Sequence, residues 1–95
     1  MKVYISGKIT GIEEQAFGLF ECAETLLIKK GHKPVNPMKL SHKHNKSYNS
    51  YMRDCLKALL RCDAIYMLDN WETSKGALIE YDVAKKLDYT IFHQL

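Results

Sequence analysis

Proline and cysteine are scarce in this chain of 95 residues, and no apolar run comes near the eighteen residues of a membrane-spanning helix. The three cysteines, Cys22, Cys55 and Cys62, are odd in number and show no Cys-x-x-Cys spacing, which argues against a disulfide framework or a zinc ribbon. Each falls in an apolar helical stripe, so buried, reduced thiols are expected. A one-sided charge excess is also missing: fourteen Lys and Arg against eleven Asp and Glu leave +3, too mild to argue nucleic-acid binding. The opening residues are interrupted by Ser6, Gly7 and Lys8 too soon for a secretory apolar segment, and the chain reads as cytoplasmic. With 46% apolar and 26% charged residues it has the make-up of a soluble globule. Its length suits one domain spanning 1–95, and so small a core would gain from oligomerisation.

What is present alternates strand and helix patterns. Residues 2–6 form a β-branched and aromatic run that stops at a loop, Gly7 to Gly11. Thr10 and Glu13 fit a capping box, and Ala16, Phe17, Phe20, Ala23, Leu26 and Leu27 follow at helical spacing until Gly31. Residues 33–37 can hold only a brief strand, because Pro34 and Pro37 restrict it at both ends. Residues 38–49 read as a polar loop. Met52, Cys55, Leu56, Leu59 and Cys62 then mark the inner stripe of a second helix, with Arg53, Asp54, Lys57 and Arg61 outside. Residues 63–68 suit a strand buried on both faces, 76–87 a third helix and 89–92 a closing strand. The spacing therefore predicts an α/β fold of the small flavodoxin or Rossmann-like kind. It has a four-stranded parallel sheet of order 2-1-3-4 with helices on both faces, and its ligand crevice lies beyond the carboxyl ends of the first and third strands.

One residue breaks its pattern. Glu80 lies near the centre of the apolar face formed by Ala77, Tyr81, Val83, Ala84 and Leu87, where a carboxylate faces desolvation unless paired, protonated or opened into a wet pocket. It is either tied to a lysine or a neighbouring loop, or it is a catalytic carboxylate close to the crevice. Ser74, Lys75 and Gly76 put a hydroxyl and free N–H groups at the start of the same helix, which suits an anion, and Gly7 and Gly11 permit close backbone approach from the other side. Turn and cap glycines without a ligand remain the alternative.

The run Val3 to Gly11, the pair Asn36-Pro37, the helix ending at Asp63 and the Ser-x-Gly-x-x-x-Glu motif from Ser74 to Glu80 resemble the nucleoside 2-deoxyribosyltransferase superfamily over nearly the whole chain. The likeness is greatest to its small DUF4406 members, which are related to 2′-deoxynucleoside 5′-phosphate N-hydrolases. The resemblance implies that Glu80 is a nucleophile attacking C1′ of the sugar. It also implies that Ser6, Gly7, Lys8, Gly11, Ser74 and Gly76 surround the sugar and any 5′-phosphate, with Tyr4 near base or ribose. No cofactor and no metal are implied, and the expected partners are a small nucleoside or nucleotide and further copies of the chain in a homodimer or larger homo-oligomer, without membrane. The chain departs from that pattern at Cys55, where the transferases and hydrolases carry an aspartate before the leucine matching Leu56. Asp54 is one residue early and on the outer face, where pairing with Lys57 explains it. A neutral thiol is a poor general acid, so a non-catalytic nucleotide-binding or sensing module stands as the second reading.

Weaker signals remain. Trp71 follows the third strand and is either a stacking lid for a base or a packing cover for the sheet end. Lys39, Lys43 and Lys46 with Tyr48 and Tyr51 read as a flap over the crevice or a subunit contact, and less well as a nucleic-acid surface. His42 and His44, with His32 or His93, lack the carboxylate or cysteine company of a metal site.

Overall fold

The computed structural model describes residues 1–40 and 47–94. In chain order the elements are β1 (Lys2–Ser6), α1 (Glu13–Lys29), β2 (Lys33–Val35), a 3₁₀ turn at Pro37–Lys39, α2 (Tyr48–Leu60), β3 (Ala64–Met67), a 3₁₀ turn at Trp71–Thr73, α3 (Lys75–Lys86) and β4 (Thr90–His93). The four strands form one parallel sheet of order 2-1-3-4, as the alternation of patterns predicts.

Strand periodicity divides the core into two layers. Val3 and Ile5 of β1, with Ala64 and Tyr66 of β3, pack on Ala16, Phe20, Ala23 and Leu27 of α1. The alternate residues Tyr4, Ile65 and Met67 face Cys55 and Leu59 of α2 and Ala77 and Ala84 of α3. Ser6 shares the direction of Tyr4, and this alternation sends two hydroxyl-bearing residues of a buried central strand towards α3. At the switch point the chain ends of β1 and β3 are tied together: the Leu68 N–H donates to the Ser6 carbonyl (2.8 Å), and the Lys8 N–H to Asn70 Oδ1 (3.0 Å).

Several local expectations need correction. The Thr10 capping box is not formed. Gly11 takes a left-handed φ of 88°, so the turn runs past Thr10 and α1 starts after Ile12, which offers no side-chain cap; Glu13 instead accepts from the Gly11 N–H (3.1 Å). Phe17, Cys22 and Leu26 are exposed rather than part of a buried stripe, because the inward face of α1 is the narrower set Ala16, Phe20, Ala23 and Leu27. Leu87 likewise lies outside, at the C-terminal cap of α3. The stretch read as a loop from 38 to 49 contains a 3₁₀ turn capped by Asn36 and the first turn of α2, capped by Ser47; Lys43 and Lys46 within it lie outside the described residues. Cys62 is buried as expected, though two residues beyond α2.

Candidate active site

Glu80 sits in the second turn of α3, a helix opened by Ser74, whose hydroxyl accepts from the Ala77 N–H (3.2 Å). From that position the carboxylate reaches the end of β1 with both oxygens engaged. The Tyr4 hydroxyl donates to Oε2 and the Ser6 hydroxyl to Oε1, each at 2.6 Å. These are charge-assisted geometries. No lysine stands among these partners, so the tether to Glu80 is two neutral hydroxyls from alternate positions of one strand. Glu80 is only 5% exposed. Burial pushes its carboxyl up to about 7, against the opposing pull of the Ser6 and Tyr4 hydrogen bonds. The Tyr4 phenol is raised in turn, first by burial and then by the Glu80 charge.

Glu80 lines a cavity of about 40 Å³, enough for a few water molecules. Its walls include Tyr4 and Gly7 from β1 and the following turn, Tyr51 and Cys55 from α2, and Ser74 and Gly76 at the start of α3. A wider vestibule of about 310 Å³ adjoins it and shares Thr10, Tyr48, Ser74 and Gly76, with Lys8 and Lys75 adding positive charge. The Lys75 ammonium lies 5.4 Å from the centre of the Tyr48 ring. Together the two spaces join a buried carboxylate to a cationic mouth at a helix N-terminus.

The glycines have distinct reasons. A Cβ on Gly7 would stand 2.6–2.9 Å from the side chain of buried Leu68, so the turn after β1 can lie against the end of β3 only without one. A Cβ on Gly76 would meet Met52 Sδ at 3.0 Å, and glycine lets the first turn of α3 approach α2.

Of the residues expected at the site, Tyr4, Gly7, Ser74, Gly76 and Glu80 line the inner cavity, Ser6 is bonded to Glu80, and Lys8 lines the vestibule. Gly11 and Trp71 are not brought there. Gly11 is an exposed turn residue, and Trp71 stacks on Tyr81, ring centres 4.5 Å apart, as a cover over the α2/α3 side of the core. Tyr51, read as part of a flap over the crevice or a subunit contact, and Cys55, read at the position of the family's aspartate, both stand in the wall of the inner cavity. The signal for Tyr51 was available, since it lies one helical turn before Cys55 on the face that also carries Met52. Burial, followed by the Glu80 charge, pushes the Cys55 thiol up to about 12, and burial foremost also raises Tyr48 and Tyr51. Among the described residues no three His, Cys, Asp or Glu side chains gather as a metal would require; His42 and His44 lie outside them. Nor, among those residues, is any helix long and apolar enough to cross a membrane.

The fold is similar to that of solved 2-deoxyribosyltransferases. The chain superposes on the 2-deoxyribosyltransferase of Bacillus psychrosaccharolyticus with a TM-score of 0.74 at 20% identity, over 98% of this chain and 71% of that one. On the enzyme of the same name from Leishmania mexicana the TM-score is 0.72 at 17% identity, over 97% of this chain and 62% of that one. The family profile described as a domain of unknown function, DUF4406, matches residues 1–93, and the chain belongs to that family. No curated protein matches it in sequence.

Proposed function

We propose that the protein breaks, or transfers across, the N-glycosidic bond of a 2′-deoxynucleoside or its 5′-monophosphate, with Glu80 as nucleophile. The observation that carries this reading is the buried Glu80 carboxylate, held at 2.6 Å by both the Tyr4 and Ser6 hydroxyls and opening into a cavity at the switch point. The two donors fix the carboxylate in one orientation without neutralising it, as a positioned nucleophile requires. One oxygen attacks C1′ while the bond to the base breaks, and the glycosyl ester formed is then resolved by water or a second base. Lys8, Lys75 and the first N–H groups of α3, at the vestibule, suit a 5′-phosphate. The likeness in fold to 2-deoxyribosyltransferases supports the same chemistry.

The assembly that goes with this reading is a cytoplasmic homodimer or larger homo-oligomer of a one-domain chain, supported by the exposed Leu60, Leu78 and Ile79 on its helices. Static light scattering tests it.

A second reading, a nucleotide-binding module without turnover, is favoured by Cys55, a neutral thiol in the cavity wall. Incubation with a panel of deoxynucleosides and their monophosphates, followed by chromatography for free base, separates the two. Release that disappears in Glu80→Gln is the expected result. Calorimetric binding of nucleotides without release selects the module, and neither release nor binding removes both readings.

A further inference from the structure

Glu80 is the one carboxylate among the described residues lining the inner cavity, and the remaining titratable groups of that wall are Tyr4, Tyr48, Tyr51 and Cys55. All four are held above their ordinary pKa, foremost by burial, and the Tyr4 proton is engaged with Glu80. A neutral purine or pyrimidine leaves as an anion unless a proton reaches it. A positioned acid of suitable pKa gives roughly 10²–10⁴-fold in rate. This wall is built for the opposite case, a base that departs with no proton supplied. Its aromatic surface agrees with that: Tyr4, Tyr48 and Tyr51 line the wall, and aromatic faces attract cationic rings as they do ammonium groups.

Resting on the glycosyl-transfer reading above, we infer that the substrates of this site are 2′-deoxynucleoside 5′-monophosphates whose base is a cationic, N-alkylated ring. Glu80 at the cavity floor faces a wall of Tyr51 and Cys55, and the Tyr48 ring stands between that cavity and the cationic vestibule. For an N7-methylguanine base, a Glu80 oxygen bonds to C1′ as the C1′–N9 bond breaks. The bonding pair flows into the cationic ring, and the base leaves as a neutral molecule. Water then attacks C1′ of the ester, freeing the Glu80 carboxylate and releasing the deoxyribose phosphate, with one proton passing to solvent. The charges suit the two compartments, the phosphate lying at Lys8 and Lys75 and the cationic ring near the tyrosines and the carboxylate.

The test measures base release from N7-methyl-2′-deoxyguanosine 5′-monophosphate and from 2′-deoxyguanosine 5′-monophosphate near neutral pH. Each rate is divided by the spontaneous rate of the same compound, because the cationic nucleotide is the more labile by itself. Without an acid in the wall the two enhancements should be alike, so that the enzyme's own rate on the cationic nucleotide exceeds that on the neutral one by the same factor as their spontaneous rates; a positioned general acid would add roughly 10²–10⁴-fold to the neutral nucleotide's enhancement alone. An enhancement about 100-fold or more larger for the neutral nucleotide, abolished in Glu80→Gln, shows that an acid serves the site; it overturns this inference and leaves the nucleophile assignment standing. Release from neither, at rates no different from buffer, removes the underlying reading as well.

Discussion

At the scale of the residue, Glu80 sets desolvation against two hydrogen bonds, and desolvation wins. With its pKa moved from 4.5 to about 7, the folded protein holds the Glu80 proton more tightly than the unfolded chain does. Stability from this source is complete below about pH 4.5 and is lost as pH rises through 7, amounting to about 3 kcal/mol. Glu80→Gln keeps the shape and cannot ionise. It should melt close to wild type at pH 4.5 and several degrees higher at pH 8, while abolishing base release; equal melting at pH 8 contradicts the burial of a charge there. The proposed activity has the opposite pH dependence, because Glu80 would attack in its ionised form: kcat/KM should rise with pH to a plateau with a midpoint near 7. Ser6→Ala removes a bond that favours the charge, so its midpoint should move upwards, a shift that a merely structural serine would not produce.

At the scale of the element, the two chain segments that meet at the switch point depend on small residues for packing. Gly7→Ala drives a methyl into Leu68 and should cost about 1–3 kcal/mol in urea melts, with base release lost along with the turn geometry. Ser74→Ala deletes the α3 cap and should cost about 1 kcal/mol. Element types and order were legible because β1 and β3 are short apolar runs buried on both faces and the helices carry apolar residues at a 3.6 period, with Gly7, Gly11, Gly31, Pro34 and Pro37 marking several of the breaks. Element ends were less so: the capping box at Thr10 and Glu13 was a sound local pattern, overridden by the left-handed turn at Gly11. The apolar stripe of α1 was read too wide for a similar reason. A single helix on that side of a four-stranded sheet buries a narrow face, and Phe17 and Leu26 fall outside it although their spacing fits.

At the scale of the whole molecule, topology accounts for what the site became. Strand order 2-1-3-4 puts the carboxyl end of β1 beside α3, and only then does an isolated carboxylate on an apolar helix face acquire Tyr4 and Ser6, over seventy residues away in sequence. Glu80 was legible from its pattern alone, whereas its partners were not, since a tyrosine and a serine in a strand carry no mark of what they face. Trp71 shows the converse, a residue well placed along the chain that the fold stacks on Tyr81 instead. The cysteines offer a check on the fold itself. Cys22 is exposed while Cys55 and Cys62 are buried with raised thiol pKa values, so a colorimetric thiol reagent at pH 8 should titrate one cysteine in the native protein and all three in denaturant.

The most direct test of the nucleophile is to quench the protein within a single turnover on a deoxynucleoside monophosphate and map its peptides by mass spectrometry. A deoxyribosyl phosphate adduct on the peptide carrying Glu80, absent from Glu80→Gln, is the predicted result. Base release at the wild-type rate from Glu80→Gln, or an adduct on any other side chain, would contradict it.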